Sequence, residues 1–158
     1  SVATLDFELT PLDGDSRPLR EWLTTFPLVP VVLDPYTHES AWILDTAHRV
    51  LTTYTDADCR PCWIVTASAD AAKQFLGPYA DEFLTFADPY GAAVKGFGIE
   101  SAPAFALVRQ DGNVVAKAEG WDPETWRGVA TAIDAMTQWI RPQLPAEGDP
   151  APFSGTAL

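Results

Sequence analysis

The stretch that decides the fold runs Phe97-Gly-Ile-Glu-Ser-Ala-Pro103-Ala-Phe-Ala-Leu-Val-Arg-Gln-Asp-Gly-Asn-Val-Val115. Ala104–Val108 and Val114–Ala118 are apolar enough for strands, and the Asp111-Gly112 pair between them is a favoured turn of antiparallel hairpins. Pro103 has no amide hydrogen to give to a sheet, so it belongs at a turn or a strand end. The stretch therefore predicts an antiparallel hairpin, and Pro103 taken alone is an edge-strand or turn proline.

Strands and helices alternate on the N-terminal side of this hairpin. Val29–Leu33 is a compact apolar run that suits a buried parallel strand. Ser40–Tyr54 has apolar residues at the spacing of one helix face, and Asp45 and Arg49 on it form an i,i+4 pair. The other predicted elements are a hairpin within residues 5–20, a helical turn at Leu19–Leu23, strands at Trp63–Ala67 and Phe83–Phe86, and helices at Ala69–Leu76, Ala92–Phe97 and Pro123–Ile140. We expect an α/β fold whose mixed sheet of four or five strands has helices on both faces.

The chain length fits one domain. A chain of 158 residues is long enough to bury a core of its own. We assign residues 1–141 to this domain, with the hairpin as an N-terminal extension. Residues 142–158 are proline-rich without periodicity, and we interpret them as an extended tail that either packs on the domain or stays free.

Composition excludes several kinds of partner. A net charge of −12 argues against nucleic acid and anionic membrane surfaces, because both require basic patches. No apolar run approaches the length of a membrane span, and the first residues lack a signal-like pattern, so we expect a cytoplasmic protein. His38 and His48 are too few for a metal site, and no glycine-rich phosphate loop is present. We therefore predict no metal and no cofactor.

Residues 97–115 resemble the segment of the thioredoxin superfamily in which a cis-proline precedes the last hairpin. The opening hairpin and Phe86-Ala-Asp-Pro-Tyr-Gly-Ala92 are similar to the alkyl hydroperoxide reductase/thiol-specific antioxidant branch, beside the thiol reductases. The resemblance implies a thioredoxin-like mixed sheet and a cis bond between Ala102 and Pro103. It also implies a redox slot beside Pro103, where a Cys-x-x-Cys motif follows the first central strand and begins a helix.

Two registers place this sequence on that plan, and the first takes Val29–Leu33 as the central strand. The slot then falls on Pro35-Tyr-Thr-His-Glu-Ser40, and Thr37 and Ser40 replace the two cysteines. Hydroxyl groups cannot carry out thiol exchange, so we expect the Thr37 and Ser40 side chains to cap the following helix. Cys59 and Cys62 would then lie at the far end of the sheet, more than about 12 Å from Pro103.

The second register takes Val50–Tyr54 as the central strand and makes Cys59-Arg-Pro-Cys62 the redox motif. Cys59 would attack, Cys62 would resolve, and the separation of 44 residues between Cys59 and Pro103 (103 − 59) suits a compact thioredoxin. Residues 50–54 make a poor buried strand, however, and the residues after Cys62 favour a strand over a helix. We favour the first register and keep the second open.

The fold prediction holds in both registers, whereas the function depends on the choice. In the first, the chain is a non-catalytic interaction, chaperone-like or assembly module with a groove for a protein partner. The second predicts a thiol–disulfide oxidoreductase acting on protein disulfides through Cys59 and Cys62. An intermediate hypothesis makes these cysteines a redox-responsive or structural disulfide. The predicted groove residues are Tyr36, Thr37, His38, Ser40, Ala102 and Pro103.

Overall fold

The structure is a computed structural model that describes residues 5–139 and 142–158. Its strands are β1 (Glu8–Pro11), β2 (Arg17–Pro18), β3 (Leu28–Leu33), β4 (Arg60–Val65), β5 (Leu84–Ala87), β6 (Ser101–Ala102), β7 (Ala104–Val108), β8 (Val114–Glu119) and β9 (Thr156–Ala157). Its helices are α1 (Leu19–Trp22), α2 (His38–Thr53), α3 (Ala69–Leu76), α4 (Ala92–Gly96) and α5 (Pro123–Thr137), with a 3₁₀ helix at Gly77–Asp81.

The main sheet is mixed and has the strand order β2-β1-β5-β4-β3-β7-β8. Strand β3 is central and all six of its residues are buried, as its continuous apolar run predicts. It pairs in parallel with β4 and antiparallel with β7. Val50–Tyr54 is not a strand, because residues 50–53 form the last turn of α2. The second register is therefore wrong, and β3 is the first central strand.

Helices cover both faces of this sheet, as predicted. Along β3, Val31 and Leu33 point to the core that holds buried residues of α2, α3 and α5. Val32 points to the opposite core, formed with α1 and α4. This alternation follows from the two-residue period of a strand, and it accounts for a strand that is apolar on both faces.

The sheet has seven strands where the sequence predicts four or five. The additional strands are β1 and β2, the two arms of the predicted N-terminal hairpin. Strand β1 pairs antiparallel with β5, with Thr10 opposite Ala87 and Pro11 opposite Phe86. The hairpin extends the sheet because β5 otherwise presents an unpaired edge.

The proline-rich segment packs on the rest of the chain. Residues Thr156 and Ala157 form β9, which pairs antiparallel with β6 and makes a separate two-stranded sheet. Leu144 is buried in the core that α2 and α5 share. Of the two alternatives for this tail, the structure therefore has the packed one. Among the described residues, no helix is both long and apolar enough to cross a membrane.

Candidate functional site

The predicted slot lies at the carboxyl end of β3. Residues 34–37 form the turn after this strand, and α2 begins at His38. Val32 is opposite Ala104 in the β3–β7 ladder, so Pro103 lies beside the end of β3. The bond between Ala102 and Pro103 is cis, the geometry expected from the resemblance. The slot and the proline loop therefore share one end of the sheet, where open α/β sheets bind ligands.

The two hydroxyl groups of the slot bond back to the end of β3. Ser40 Oγ accepts a hydrogen bond from the backbone amide of Asp34 at 2.9 Å, and Ser40 is fully buried. Thr37 Oγ1 donates to the backbone carbonyl of Asp34 at 2.9 Å. Thr37 is the N-cap residue of α2, yet its side chain makes no capping hydrogen bond. The capping prediction is wrong, because both hydroxyls close the turn instead.

Cys59 lies at the opposite end of the sheet, just before β4, whereas Cys62 is within β4 and lies opposite Pro30 near the middle of β3. Arg60 is opposite Leu28, the first residue of β3, whereas Ala104 is opposite Val32 near its last. Four residues at a strand rise of about 3.3 Å separate these positions by roughly 13 Å, in agreement with the long separation predicted for Cys59. Cys59 therefore lies far from Pro103. The predicted place of Cys62 at the far end is wrong, because Pro30, its partner on β3, is only two positions from Val32.

Both cysteines are free, buried and poorly suited to thiolate chemistry. Cys59 belongs to the core on the α2 side of the sheet, and Cys62 to the core on the α1 side. Burial, with a smaller contribution from Asp58, raises the pKa of the Cys59 thiol to about 12. Burial also raises the pKa of Cys62 strongly, against the weaker opposing effect of Arg60. At neutral pH both groups are thiols, which are poor nucleophiles.

A cavity of about 770 Å³ opens at the slot end of the sheet. Its walls come from the turn after β3, from residues 89–91 after β5, from α4, from residues 98–100 before Pro103 and from residues 157–158. Tyr36 and Tyr90 line it and are 77% and 94% exposed. We call this cavity the proline-loop groove. Two exposed aromatic side chains at one cavity provide apolar contact area with a polar hydroxyl end, which suits a protein ligand.

Two carboxylates that the sequence reasoning missed hold the walls of this groove. Buried Asp88 accepts hydrogen bonds from the amides of Ala93 and Val94 at 3.1 Å, and thereby fixes the turn that carries Tyr90. Glu119 Oε1 accepts from the amides of Glu100 and Ser101 at 2.7 and 2.8 Å, which fixes the loop before Pro103. The sequence contains a signal for the role of Asp88, because an Asp shortly before a short helix often binds its first amides. It contains none for Glu119, because its partner Glu100 lies 19 residues away along the chain.

The predicted groove residues are only partly brought together. Tyr36 lines the groove, whereas Ser40, Ala102 and Pro103 are buried and do not line it. His38 is exposed and stacks on Trp42, with the ring centroids 6.2 Å apart. In the part of the chain that the structure describes, no group of three or more His, Cys, Asp or Glu residues could hold a metal ion.

Comparison with known proteins gives structural neighbours only. No protein-family model matches the chain, and no curated protein sequence matches it. DsbF from Mycobacterium tuberculosis superposes with a TM-score of 0.64 at 22% identity, over 82% of this chain and 96% of that one. A hypothetical protein from Sinorhizobium meliloti gives 0.69 at 15% identity, over 99% and 93%.

The peroxiredoxin-like branch is represented as well. The bacterioferritin comigratory protein of Xanthomonas campestris, described with alkyl peroxide reduction activity, gives a TM-score of 0.62 at 17% identity, over 84% of this chain and 90% of that one. The strand order, the cis bond before Pro103 and these superpositions agree. The chain has the thioredoxin-like fold.

Proposed function

We propose that this chain is a non-catalytic thioredoxin-fold module that binds a protein partner in the proline-loop groove. The proposal rests on the identity of the residues that occupy the predicted redox slot. Thr37 and Ser40 stand where the fold's redox chemistry needs cysteines, and both hydroxyls are engaged by Asp34. Of the two cysteines that the chain does contain, both are buried, Cys59 at the other end of the sheet and Cys62 within β4.

The groove offers contacts for a protein rather than a reacting centre. Tyr36 and Tyr90 provide exposed aromatic surface, and Lys95 and Glu100 provide charged groups on the same walls. The net charge of −12 favours a partner with net positive charge, since complementary charge raises the association rate. Partner binding through this groove should therefore weaken as salt concentration rises.

The proposal is tested by reduction of the insulin disulfides with dithiothreitol as the electron source. We expect the wild type and Cys59→Ser to match the rate without protein. The double variant Thr37→Cys/Ser40→Cys is the positive control, because its first thiol would lie at the N-terminus of α2, where the helix dipole favours a thiolate. Wild-type activity that disappears in Cys59→Ser would show that the chain is an enzyme.

A further inference from the structure

The carboxylate of Asp149 holds the C-terminal segment to α2 through Arg49 and Thr46, and we call this set of contacts the Asp149 clasp. Asp149 Oδ1 and Oδ2 accept hydrogen bonds from the Arg49 guanidinium at 3.0 and 2.8 Å. The same carboxylate accepts from the Thr46 hydroxyl at 2.8 Å and from the amide of Ala146 at 2.7 Å. The Asp149 side chain is only 4% exposed. A buried, fully bonded carboxylate of this kind anchors residues 146–149 firmly.

After this clasp the segment crosses the proline loop. Phe153 and Trp121 exchange two backbone hydrogen bonds of 2.8 Å, and the Phe153 ring meets Trp42 edge-on at 5.6 Å. Beyond them, Ala157 lies opposite Ser101 and Thr156 opposite Ala102 in the β6–β9 ladder. The segment therefore covers the backbone immediately before Pro103, at the edge of the proline-loop groove.

Gly155 lies where the C-terminal segment packs against Ser101 and Gly120, and the space there limits which sequences can occupy this position. A Cβ atom at Gly155 would lie 2.8 Å from Ser101 Oγ and 3.1 Å from the Gly120 nitrogen, so a side chain does not fit. Two residues earlier, the Phe153 ring packs edge-on against Trp42 while its backbone pairs with that of Trp121. The occupant that fits is an extended strand with an aromatic residue two positions before a glycine.

The final strand is held much less firmly than the clasp. Ala157 is exposed and Leu158 is 44% exposed, in contrast to the Asp149 side chain. Strand β6 has no partner other than β9 among residues 5–139 and 142–158. The amides of Glu100 and Ser101 are bonded to Glu119, so removing β9 would open the Glu100 carbonyl, which accepts from the Leu158 amide, and the edge of Ala102 that pairs with Thr156. An extended peptide satisfies such groups by adding a strand. Local opening is easiest where few apolar contacts are buried.

We propose that residues 153–158 are an internal ligand. They occupy an edge that accepts an extended peptide of another protein with the same pattern, aromatic-x-Gly, and the Asp149 clasp keeps that edge closed. This proposal rests on the proposed function, because it names the kind of partner that the groove binds. It adds that binding requires displacement of the chain's own strand.

The test measures the fluorescence anisotropy of a labelled peptide with the sequence of residues 150–158, Pro-Ala-Pro-Phe-Ser-Gly-Thr-Ala-Leu. Gly155→Val in the full chain prevents the strand from seating while the clasp stays intact. We expect this variant to bind the peptide at least about tenfold more tightly than the wild type. Ala151→Val, at an exposed position of the same segment, is the matched control and should bind like the wild type. Equal binding by the two variants would overturn the proposal.

A second variant closes the edge instead of opening it. Ser101→Cys/Ala157→Cys places two thiols at directly opposed positions, where the Cα separation in an antiparallel pair suits a disulfide. We expect no peptide binding by the oxidised form and recovery after reduction. Binding that is the same in both forms would overturn the proposal, and unchanged circular dichroism checks that the variants fold.

Two further measurements identify the occupant. A peptide in which valine replaces the glycine should bind Gly155→Val at least about tenfold more weakly, and equal binding would refute the stated pattern. Sedimentation should show a monomer, whereas a dimer would assign the edge to a second copy of the chain and overturn the partner proposed here. None of these results depends on disulfide reduction. Failure of the peptide experiments would therefore overturn this inference alone, and activity in the insulin assay would overturn the non-catalytic function alone.

Discussion

The backbone amide of Asp34 donates a hydrogen bond to the buried hydroxyl of Ser40 at 2.9 Å, across the turn that joins β3 to α2. Ser40→Ala leaves this half-buried amide without its acceptor, and we expect a loss of about 1–3 kcal/mol in the free energy of unfolding. Urea denaturation at pH 7 measures it. Thr55→Ala removes an exposed hydroxyl and should stay within about 0.5 kcal/mol. Equal losses would show that the Asp34–Ser40 bond does not stabilise the turn.

The thiols of Cys59 and Cys62 should be unreactive in the folded protein. With a pKa of about 12, Cys59 has a thiolate fraction on the order of 10⁻⁴ at pH 8, compared with about a quarter for an unperturbed thiol. We expect iodoacetamide to label both cysteines slowly at pH 8 and rapidly after unfolding in urea. Rapid labelling of Cys59→Ser without urea would contradict the burial of Cys62.

The carboxylate of Glu119 should make stability depend on pH. Burial raises the pKa of Glu119. Hydrogen bonds from the amides of Glu100 and Ser101 and the charge of Lys117 lower it by more, so the pKa in the folded protein is below its ordinary value. A lowered folded pKa contributes stability that is complete above the unfolded pKa of about 4.3 and is lost as the pH falls through the folded value.

The matched comparison is Glu119→Gln, which cannot titrate. The difference in free energy of unfolding between the wild type and this variant should be constant from pH 7 to about 5 and shrink below about pH 4.3. A difference that grows as the pH falls would reverse the assigned direction of the pKa shift.

Gly120 and Gly128 give opposite expectations for the same substitution. Gly120 has a φ of +81°, and a Cβ there would lie 2.7 Å from the Gly155 nitrogen. We therefore expect Gly120→Ala to destabilise the protein by about 1–3 kcal/mol. Gly128 lies inside α5 with no atom within 4 Å of an added Cβ, so Gly128→Ala should stabilise it by roughly 0.5–1 kcal/mol. Thermal unfolding of both variants checks the opposite signs.

The sequence predicts local elements well and misses contacts that are distant along the chain. Residues 38–53 form a helix because their apolar spacing has one face, and the predicted Ala69–Leu76 helix has the predicted bounds. The predicted pair of Asp45 and Arg49 is wrong. Arg49 turns to Asp149, and Asp45 accepts a hydrogen bond from the Tyr79 hydroxyl at 2.9 Å. The apolar periodicity of a helix cannot show that the partner of Arg49 lies 100 residues away along the chain.

The position of the Cys59–Cys62 motif shows a second limit of pattern reasoning. The sequence analysis predicts a strand that begins at Trp63. Strand β4 begins at Arg60, and Pro61 lies opposite Val29 in the parallel ladder. The structure therefore places Cys62 within a strand, although its spacing from Cys59 is that of a redox motif. The location of a motif in the fold decides its chemistry.

The clasp at Asp149 lies four residues before Phe153 (153 − 149), and this short tether has a quantitative consequence. A ligand joined to its site by a short flexible linker competes with free ligands at an effective concentration on the order of millimolar. A free peptide at micromolar concentration therefore displaces the strand only if its intrinsic affinity is far higher. Under the proposal of an internal ligand, the edge at β6 would therefore exclude weak extended peptides and admit partners that gain affinity from a second contact elsewhere on the acidic surface.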